Sequence, residues 1–370
     1  MTRSSSGMDR NGQIAALLRD FAAIQQSTQS KWGYKRAASA ILALEEPIES
    51  LLQPDGTLRK IPNIGPSSTR IILEVLQTGT SPTIERAIAE SGQDGDVERR
   101  RGLRDHFLSR AQVLAALSNG RLKGPRLEDY RGDLQMHSTW SDGSQTLADI
   151  VEAGINLGYQ FCAVTDHSYG LKIAGGVSMA ELAEQHKEID ALNKKHRRAF
   201  RLLKGIEANI RGDGSIDMER HELAQLEIVV AAPHSVLRSP VDQTARMVAA
   251  ASAPGVHILG HPRGRKIGSR PGVSADWDRV FEAAVKSRVA IEIDGDPSRQ
   301  DLDYDIARRA VDAGCLFALD SDAHSTGELP QYAATAIAHA RLAGVPTDRV
   351  VNCWPLERLL EWARSRSGQA

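Results

Sequence analysis

The sequence contains few cysteines, few aromatic residues and no long apolar run. Its three cysteines, Cys162, Cys315 and Cys353, are widely separated among 370 residues, which argues against disulfides and a zinc knuckle and favours a reducing, cytoplasmic compartment. No uninterrupted apolar stretch approaches the ~20 residues of a membrane helix, so we expect no membrane contact. The N-terminal residues, MTRSSSGMDRNGQ, show no apolar core of a secretory signal.

An excess of charge of either sign is also missing. The formal net charge is −1, from 46 basic and 47 acidic residues, so composition gives no global indication of nucleic-acid binding. A small basic excess lies in residues 96–130, where Arg99, Arg100, Arg101 and Arg104 cluster. We interpret this cluster as a solvated helical face in preference to a DNA contact.

Residues 1–95 show the apolar spacing of short helices. Apolar side chains recur at helical intervals between Ile14 and Ile24, and again between Ala37 and Leu44. A tight turn, IPNIG, then opens onto a third apolar helix. We therefore expect a small all-α domain, followed by a helical linker over residues 96–130 with one helix at about 105–118.

From residue 131 the sequence alternates short β-branched runs with helix-like stretches. The runs are FCAVTDH, RLLKGIEANI, IVVAAPHS, VHILGHP, VAIEIDG and LFALDSDAH. Repeated units of this kind predict an α/β domain with a parallel barrel or sheet over residues 131–370. In such barrels the active site lies at the C-terminal ends of the strands, and nearly every run here ends in a residue that can bind metal.

Nine side chains at or just beyond these strand ends are candidate metal ligands. They are Gln135, His137, Asp142, His167, Glu207, His234, His261, Asp322 and His324. Imidazole and carboxylate ligands together suit Zn, Mn or Fe, and a carboxylate such as Glu207 can bridge two ions. Without cations, so many polar groups at equivalent strand ends would be costly. The placement therefore predicts a metal centre.

Six motifs resemble the polymerase and histidinol phosphatase (PHP) domain. They are GDLQMHSTWSDG, TDHS, GIE, PHS, GHPRG and SDAHS, and they occur in the family's order over about residues 131–350. The resemblance implies a distorted, TIM-like barrel of seven βα units that holds up to three divalent ions. It assigns one ion to His137, Glu207 and Asp322 with Gln135 nearby, a second to Glu207, His234 and His261, and a third to Asp142, His167 and His324.

The first motif departs from the family's common pattern of His-x-His, because Gln135 replaces the first histidine. An amide oxygen is a weaker and harder donor than imidazole, so we expect this ion to be loosely held, or to be Mn in preference to Zn. The same variant resembles the PHP domains attached to bacterial X-family DNA polymerases.

A metal centre of this kind hydrolyses phosphate esters with a metal-activated water, so we expect no Ser or Cys nucleophile. Basic side chains near the motifs are candidate contacts for the substrate phosphate. They are Lys172, Arg263, Arg265 and Arg299. Lys172 and Arg299 also match positions that recur in polymerase-linked PHP domains.

The IPNIG turn and the helix after it form a helix-hairpin-helix pattern, which presents backbone N–H groups to a DNA phosphate. Together with YKRAASAIL and VLQTG, it resembles the N-terminal domain of X-family DNA polymerases over about residues 10–80. We expect DNA contacts from Lys60, Ile64, Gly65, Ser67 and Arg70.

Two features of the polymerase family are missing. Ile71 stands where some members carry the lysine that forms a Schiff base with an abasic sugar. Residues 81–130 are too short to contain the catalytic palm. We therefore expect neither abasic-site lyase activity nor nucleotide polymerisation.

These observations favour a metal-dependent phosphoesterase that acts on DNA, as a 3′–5′ exonuclease or a 3′-end phosphatase. One alternative is a phosphatase of small phosphorylated metabolites such as histidinol phosphate or nucleotides. Another is a non-catalytic DNA-binding protein, against which the near-complete ligand set argues. The hairpin favours DNA, whereas the balance of ten basic and ten acidic residues over residues 1–95 does not strengthen that choice.

Overall fold

The computed structural model of the protein describes residues 7–367. The outer ends of the two predicted terminal domains, residues 1–6 and 368–370, lie outside the described residues. Among the described helices, none combines the length and the apolar character that crossing a bilayer requires.

The chain divides into two compact units. Unit 1 contains the residues up to Ser118 together with Ile267–Ser269, and unit 2 contains Asn119–Lys266 and the residues from Arg270 onward. The segment 96–130, expected to be a linker, is thus divided between the two units.

Unit 1 is all-α, as its apolar spacing predicts. Its helices are α1 (Arg10–Ile24), α2 (Thr28–Leu42), α3 (Pro66–Thr78), α4 (Pro82–Ser91), α5 (Asp94–Gly102) and α6 (Arg110–Ser118). Ser27 and Ser81 cap the N-termini of α2 and α4 through side-chain hydrogen bonds. Ile14, Leu18 and Ile41 are fully buried in one apolar core. The apolar residues that recur at helical intervals in the sequence therefore form the packed faces of these helices.

Residues 80–118 contain more helix than the sequence predicts. The single helix expected at about 105–118 begins only at Arg110, where the Ser109 hydroxyl accepts a hydrogen bond from Gln112 N at 3.1 Å. Helix α5 has the sequence DGDVERRRG, in which Val97 is the buried residue. Such a charged helix gives no periodic apolar signal, because it contributes a single side chain to the core.

The basic cluster of residues 96–130 is partly internal. Asp20, on α1, is buried and accepts a hydrogen bond from Arg101 Nε at 2.7 Å, and it also pairs with the buried Arg104. Arg99 instead pairs with Asp96 on the surface of α5 at 2.6 Å. Part of this positive charge therefore stabilises the fold of unit 1.

Unit 2 is a barrel of seven parallel strands. The strands are β1 (Gly132–Asp133), β2 (Phe161–Val164), β3 (Arg201–Asn209), β4 (Ile228–Ala232), β5 (Ile258–Leu259), β6 (Ala290–Asp294) and β7 (Leu316–Asp320). Each strand pairs with the next in chain order. The predicted distorted (β/α)7 barrel with a small all-α N-terminal domain is confirmed.

Helices connect the strands, as parallel pairing requires. They are α7 (Leu147–Asn156), α8 (Met179–His196), α9 (Arg220–Leu223), α10 (Thr244–Ser252), α11 (Trp277–Ser287) and α12 (Tyr304–Ala313). Two further helices, α13 (Leu329–Ala343) and α14 (Leu356–Ser367), follow β7. Strands β2, β4 and β6 are buried along their whole length, which explains why β2 and β4 are continuous apolar runs in the sequence.

Asn352 joins the two edge strands of the barrel. Its side-chain amide donates to the carbonyl oxygens of Gly132, on β1, and Leu319, on β7, both at 3.0 Å. Its side-chain oxygen accepts from Leu319 N at 2.7 Å. One buried amide thus provides hydrogen-bond partners for backbone groups on both edges inside the protein.

Candidate metal centre

The strand ends bring the predicted ligands together in unit 2. Glu207 is the third residue from the C-terminal end of β3. Four other ligands lie two or three residues beyond the end of a strand: His167 after β2, His234 after β4, His261 after β5 and Asp322 after β7. Parallel strands end on the same side of the barrel, so side chains at these positions converge.

Glu207 lies at the middle of the cluster and is buried. Its Oε2 atom is 2.9 Å from His167 Nδ1 and 3.4 Å from His137 Nε2. Its Oε1 atom is 3.0 Å from His261 Nε2 and 3.3 Å from His234 Nε2. Each oxygen of one carboxylate therefore faces a different pair of imidazoles, the arrangement that a bridging ligand needs.

Asp142 forms a second focus of the cluster. Its Oδ1 atom lies 3.4 Å from His324 Nε2, 3.5 Å from His167 Nε2 and 3.8 Å from His137 Nδ1. The ring of His137 stacks between the rings of His167 and His324, with centroids 4.4 Å apart in both pairs. His137 and His167 thus present one ring nitrogen to Asp142 and the other to Glu207.

Asp322 forms the third focus. Its Oδ1 atom lies 2.9 Å from His137 Nε2 and accepts a hydrogen bond from Gln135 Nε2 at 3.3 Å. Its Oδ2 atom pairs with Arg299, whose guanidinium is also 3.6 Å from Asp294 Oδ2. Arg299 therefore lies inside the centre, paired with a candidate ligand.

The charges of these groups depend on one another. Burial raises the pKa of Glu207, but the surrounding histidines outweigh burial and hold this pKa well below its usual value. Burial lowers the pKa of His167, but the Glu207 carboxylate outweighs it and raises the pKa to about 10. For His324, burial also lowers the pKa, but the hydrogen bond to Asp142 and the negative charges of Asp322 and Asp142 together outweigh it, and the pKa is about 9. The carboxylates thus create a site that favours cations.

The donor set fits divalent ions. Three groups of side chains place one ligand atom each within 4.8 Å of one another: His137, Asp142, His167 and His324; His167, Glu207 and His234; and His137, Glu207 and Asp322. Within residues 7–367, several buried atoms here have no hydrogen-bond partner, namely Gln135 Oε1, His137 Nδ1, His167 Nδ1 and Glu207 Oε2. A bound cation would satisfy polar atoms that converge in this way.

The four basic side chains predicted to contact phosphate have different surroundings. Lys172 is exposed on the loop after His167. Arg265 is buried, and its guanidinium binds Asp303 at 2.9 Å and the carbonyl oxygen of Gln300 at 2.7 Å. Arg263 also binds Asp303, at 2.8 Å. These contacts favour structural roles for Arg263 and Arg265, and of the four they leave Lys172 as the exposed cation.

Further carboxylates inside the barrel were not anticipated. Asp133, Glu292, Asp294 and Asp320 are fully buried, and Glu292 accepts a hydrogen bond from the backbone N–H of His261. Burial, followed by the charge of Asp320, raises the pKa of Asp133 to about 8. The available signal was acidic residues within apolar strand runs, as in AIEID and LFALD.

The hairpin of unit 1 has an exposed turn before α3. Asn63 adopts the left-handed conformation, with φ 64°, whereas Gly65 is extended and forms the N-cap of α3 without a side-chain cap. The tight turn thus depends on Asn63. A Cβ atom added at Gly65 would meet no heavy atom within 4 Å, so this backbone is open to approach from outside.

The five predicted DNA contacts line two grooves beside this turn. Lys60, Ile64 and Arg70 line a groove of about 460 Å³, and Gly65 and Ser67 line one of about 370 Å³. Ile71 is buried in the core of unit 1, so the position of the Schiff-base lysine is apolar and internal.

Comparisons with known proteins identify one matching domain family and several relatives of this chain. Residues 9–81 match the helix-hairpin-helix domain family. Over 232 residues the chain is 39% identical to the DNA polymerase/3′-5′ exonuclease PolX of Bacillus subtilis, an alignment that covers 62% of this chain and 40% of that protein. The chain thus spans less than half the length of this relative.

Smaller proteins match over nearly their whole length. Over 250 residues the chain is 31% identical to a Citrobacter koseri protein named "Probable phosphatase", covering 64% of this chain and 95% of that protein. A solved histidinol phosphate phosphatase from Lactococcus lactis, complexed with zinc, L-histidinol and phosphate, has a TM-score of 0.39 and 14% identity, covering 65% of this chain and 93% of that chain. Because the Citrobacter protein is matched from one end almost to the other, the chain belongs to the polymerase and histidinol phosphatase (PHP) family of phosphoesterases.

Proposed function

We propose that the chain is a divalent-metal-dependent phosphoesterase of DNA, acting as a 3′–5′ exonuclease or a 3′-end phosphatase. The observation that carries this proposal is the presence of two features in one chain. A converging His, Asp and Glu cluster fits metal ions in unit 2, and an open hairpin turn suits a DNA backbone in unit 1. The identity to a bacterial polymerase with exonuclease in its name supports the same substrate.

The cluster would hold two or three ions, with Mn or Zn as the leading candidates and Fe as a further one. His137, Glu207 and Asp322 would bind the first ion. Glu207, His234 and His261 would bind the second, beside His167, and Asp142, His167 and His324 would bind the third. Bound divalent ions supply positive charge that stabilises the transferring phosphoryl group and activates water.

The protein side chains prepare this chemistry in three ways. Glu207, charged and buried, keeps four imidazoles directed at its two oxygens. Gln135 donates to Asp322 at 3.3 Å and can offer an ion only its amide oxygen in place of an imidazole, which favours a weakly held ion and a preference for Mn. Lys172, exposed in the segment that follows His167, would attract the substrate phosphate.

A phosphatase of small phosphorylated metabolites is the second candidate function. The observation that favours it is the match to a phosphatase over 95% of that protein's length. Such an enzyme would use the same metal centre, and unit 1 would contribute nothing to substrate choice.

The two functions differ in the substrate that the full-length protein prefers. With Mn²⁺ present, we expect kcat/KM for a single-stranded oligonucleotide to exceed that for mononucleotides or histidinol phosphate at least about tenfold, because contacts remote from the reacting phosphate lower the barrier. Oligonucleotides ending in 3′-hydroxyl and in 3′-phosphate separate the activities: a ladder of shortened products indicates an exonuclease, and loss of the phosphate alone indicates a phosphatase. Faster turnover of the small monoesters would establish the metabolite phosphatase instead.

A further inference from the structure

Asp166 lies next to the metal centre but belongs to none of its three groups. It precedes His167 and is fully buried. Its Oδ1 atom accepts hydrogen bonds from Ser138 N at 2.8 Å and Ser141 Oγ at 2.5 Å. Its Oδ2 atom accepts from Ser138 Oγ and from Gln185 Nε2, both at 2.6 Å. All of this carboxylate's contacts thus go to the loop after β1 and to helix α8.

The loop that Asp166 binds is the one that carries Asp142. The N–H groups of Ser141 and Gly143 both donate to the Ser138 carbonyl oxygen, at 3.1 and 3.0 Å. A Cβ atom at Gly143 would lie 2.4 Å from the His137 carbonyl oxygen, so the loop passes close to the backbone of a candidate ligand. The turn is therefore tight, and its position determines where Asp142 points.

Asp142 depends on this support more than the other carboxylates of the cluster. Its side chain is 36% exposed, whereas those of Glu207 and Asp322 are 0% and 3% exposed. Packing around Asp142 is thus sparse, and its Oδ1 atom must still face three histidine nitrogens. A ligand on an exposed loop binds an ion well only if the loop is ordered before binding.

We propose that Asp166 is a positioning residue that sets the loop Ser138–Gly143, and through it Asp142, for ion binding at the group formed with His137, His167 and His324. This inference rests on the proposed function, because it requires that the group holds a divalent ion. Charge-assisted hydrogen bonds from two serines and a glutamine fix the loop while it has no ion. An asparagine would lack the negative charge of Asp166, and its NH₂ group would force Ser138 Oγ and the Gln185 amide, which now donate, to reorient and accept.

The test measures ion binding to metal-stripped, full-length protein by calorimetry with Mn²⁺. Ser141→Ala removes a hydrogen bond to Asp166 and also a longer one, 3.4 Å, to the candidate ligand Asp142. Gln185→Leu removes the hydrogen bond that helix α8 donates to Asp166 and changes none of the candidate ligands, so it should weaken Mn²⁺ binding through Asp166 alone. Asp166→Asn disrupts more of these bonds. We expect one class of Mn²⁺ sites to weaken about tenfold in Ser141→Ala and further in Asp166→Asn, since partners of ligands typically change metal affinity by about 10–100-fold. Amide hydrogen exchange over residues 138–143 should quicken in both variants before any ion is added.

Two controls separate positioning from general damage. Ser141→Thr keeps the hydroxyl and should restore both affinity and slow exchange. Ser215→Ala removes a hydroxyl bond to Asp213 of the same kind, 2.7 Å long and on the surface, and should change neither. If Asp166→Asn fails to fold, Gln185→Leu, which leaves the contacts of Asp142 in place, still decides the question.

The outcomes are distinguishable from failure of the proposed function. Unchanged Mn²⁺ affinity and unchanged exchange in Ser141→Ala, with wild-type protein that binds Mn²⁺, would overturn the role of Asp166. A wild-type protein that binds no Mn²⁺ or Zn²⁺ would overturn the proposed metal centre itself, together with this inference.

Discussion

Replacing Glu207 by alanine is expected to lower the rate of phosphoester hydrolysis by at least about 10³-fold, a loss of about 4 kcal/mol of transition-state stabilisation. The reason is that both carboxylate oxygens face histidines, two imidazoles each, so one substitution removes a ligand from more than one ion. The measurements are kcat with a chromogenic phosphodiester and the number of Mn²⁺ ions bound per chain.

Glu207→Gln separates charge from shape. Glutamine fills the same space but lacks the negative charge, which the low pKa of Glu207 shows to be present in the folded protein. We expect it to be nearly as inactive as alanine. Glu184→Ala, at an exposed position on α8, is the control and should retain wild-type rates. Wild-type turnover in either Glu207 variant would show that the cluster has been assigned wrongly.

Substituting Gly65 by leucine is expected to weaken oligonucleotide binding about tenfold while leaving hydrolysis of a small phosphodiester unchanged. A side chain on this open backbone would keep DNA phosphate away from the N–H groups at the start of α3. Lys60→Ala should instead reduce the slope of the logarithm of binding affinity against the logarithm of salt concentration by about 1, because one fewer counterion is released on binding. Fluorescence anisotropy at several salt concentrations measures both effects.

The matched control for the hairpin is Gly95→Leu. Gly65 and Gly95 both have open space where a Cβ would be added, with nothing within 4 Å, so both variants should fold. If Gly65→Leu and Gly95→Leu bind DNA as the wild-type protein does, the hairpin does not contact DNA, and the metabolite phosphatase becomes the better proposal.

Ligand positions were predictable from the sequence because strand ends are easy to recognise. An apolar run that stops at His or Asp indicates the C-terminal end of a strand. Parallel pairing brings these strand ends together on one side of the barrel. His167 shows the limit of this reasoning. Its two ring nitrogens face different carboxylates, Glu207 and Asp142, and no spacing rule predicts ring orientation.

The roles of individual charged side chains were the least predictable feature, because the sequence does not show which of them are buried. Arg265 reads as a phosphate contact beside GHP, yet it is buried against Asp303. Asp166 reads as part of a ligand motif, yet its oxygens are occupied by loop and helix donors. The bounds of helix α5 were not predicted for a related reason, since its single buried side chain, Val97, leaves no periodic pattern.

Titrating Mn²⁺ into metal-stripped, full-length protein, while following bound Mn²⁺ and hydrolysis of a 3′-labelled oligonucleotide in the same samples, tests the metal centre most directly. We predict no hydrolysis without ions, a rate that rises with bound Mn²⁺, and saturation at two or three ions per chain, because the cluster offers three ligand groups. Mn²⁺ should restore activity better than Zn²⁺, given the amide at Gln135. Full activity in metal-free, EDTA-treated protein would contradict the metal-dependent mechanism outright.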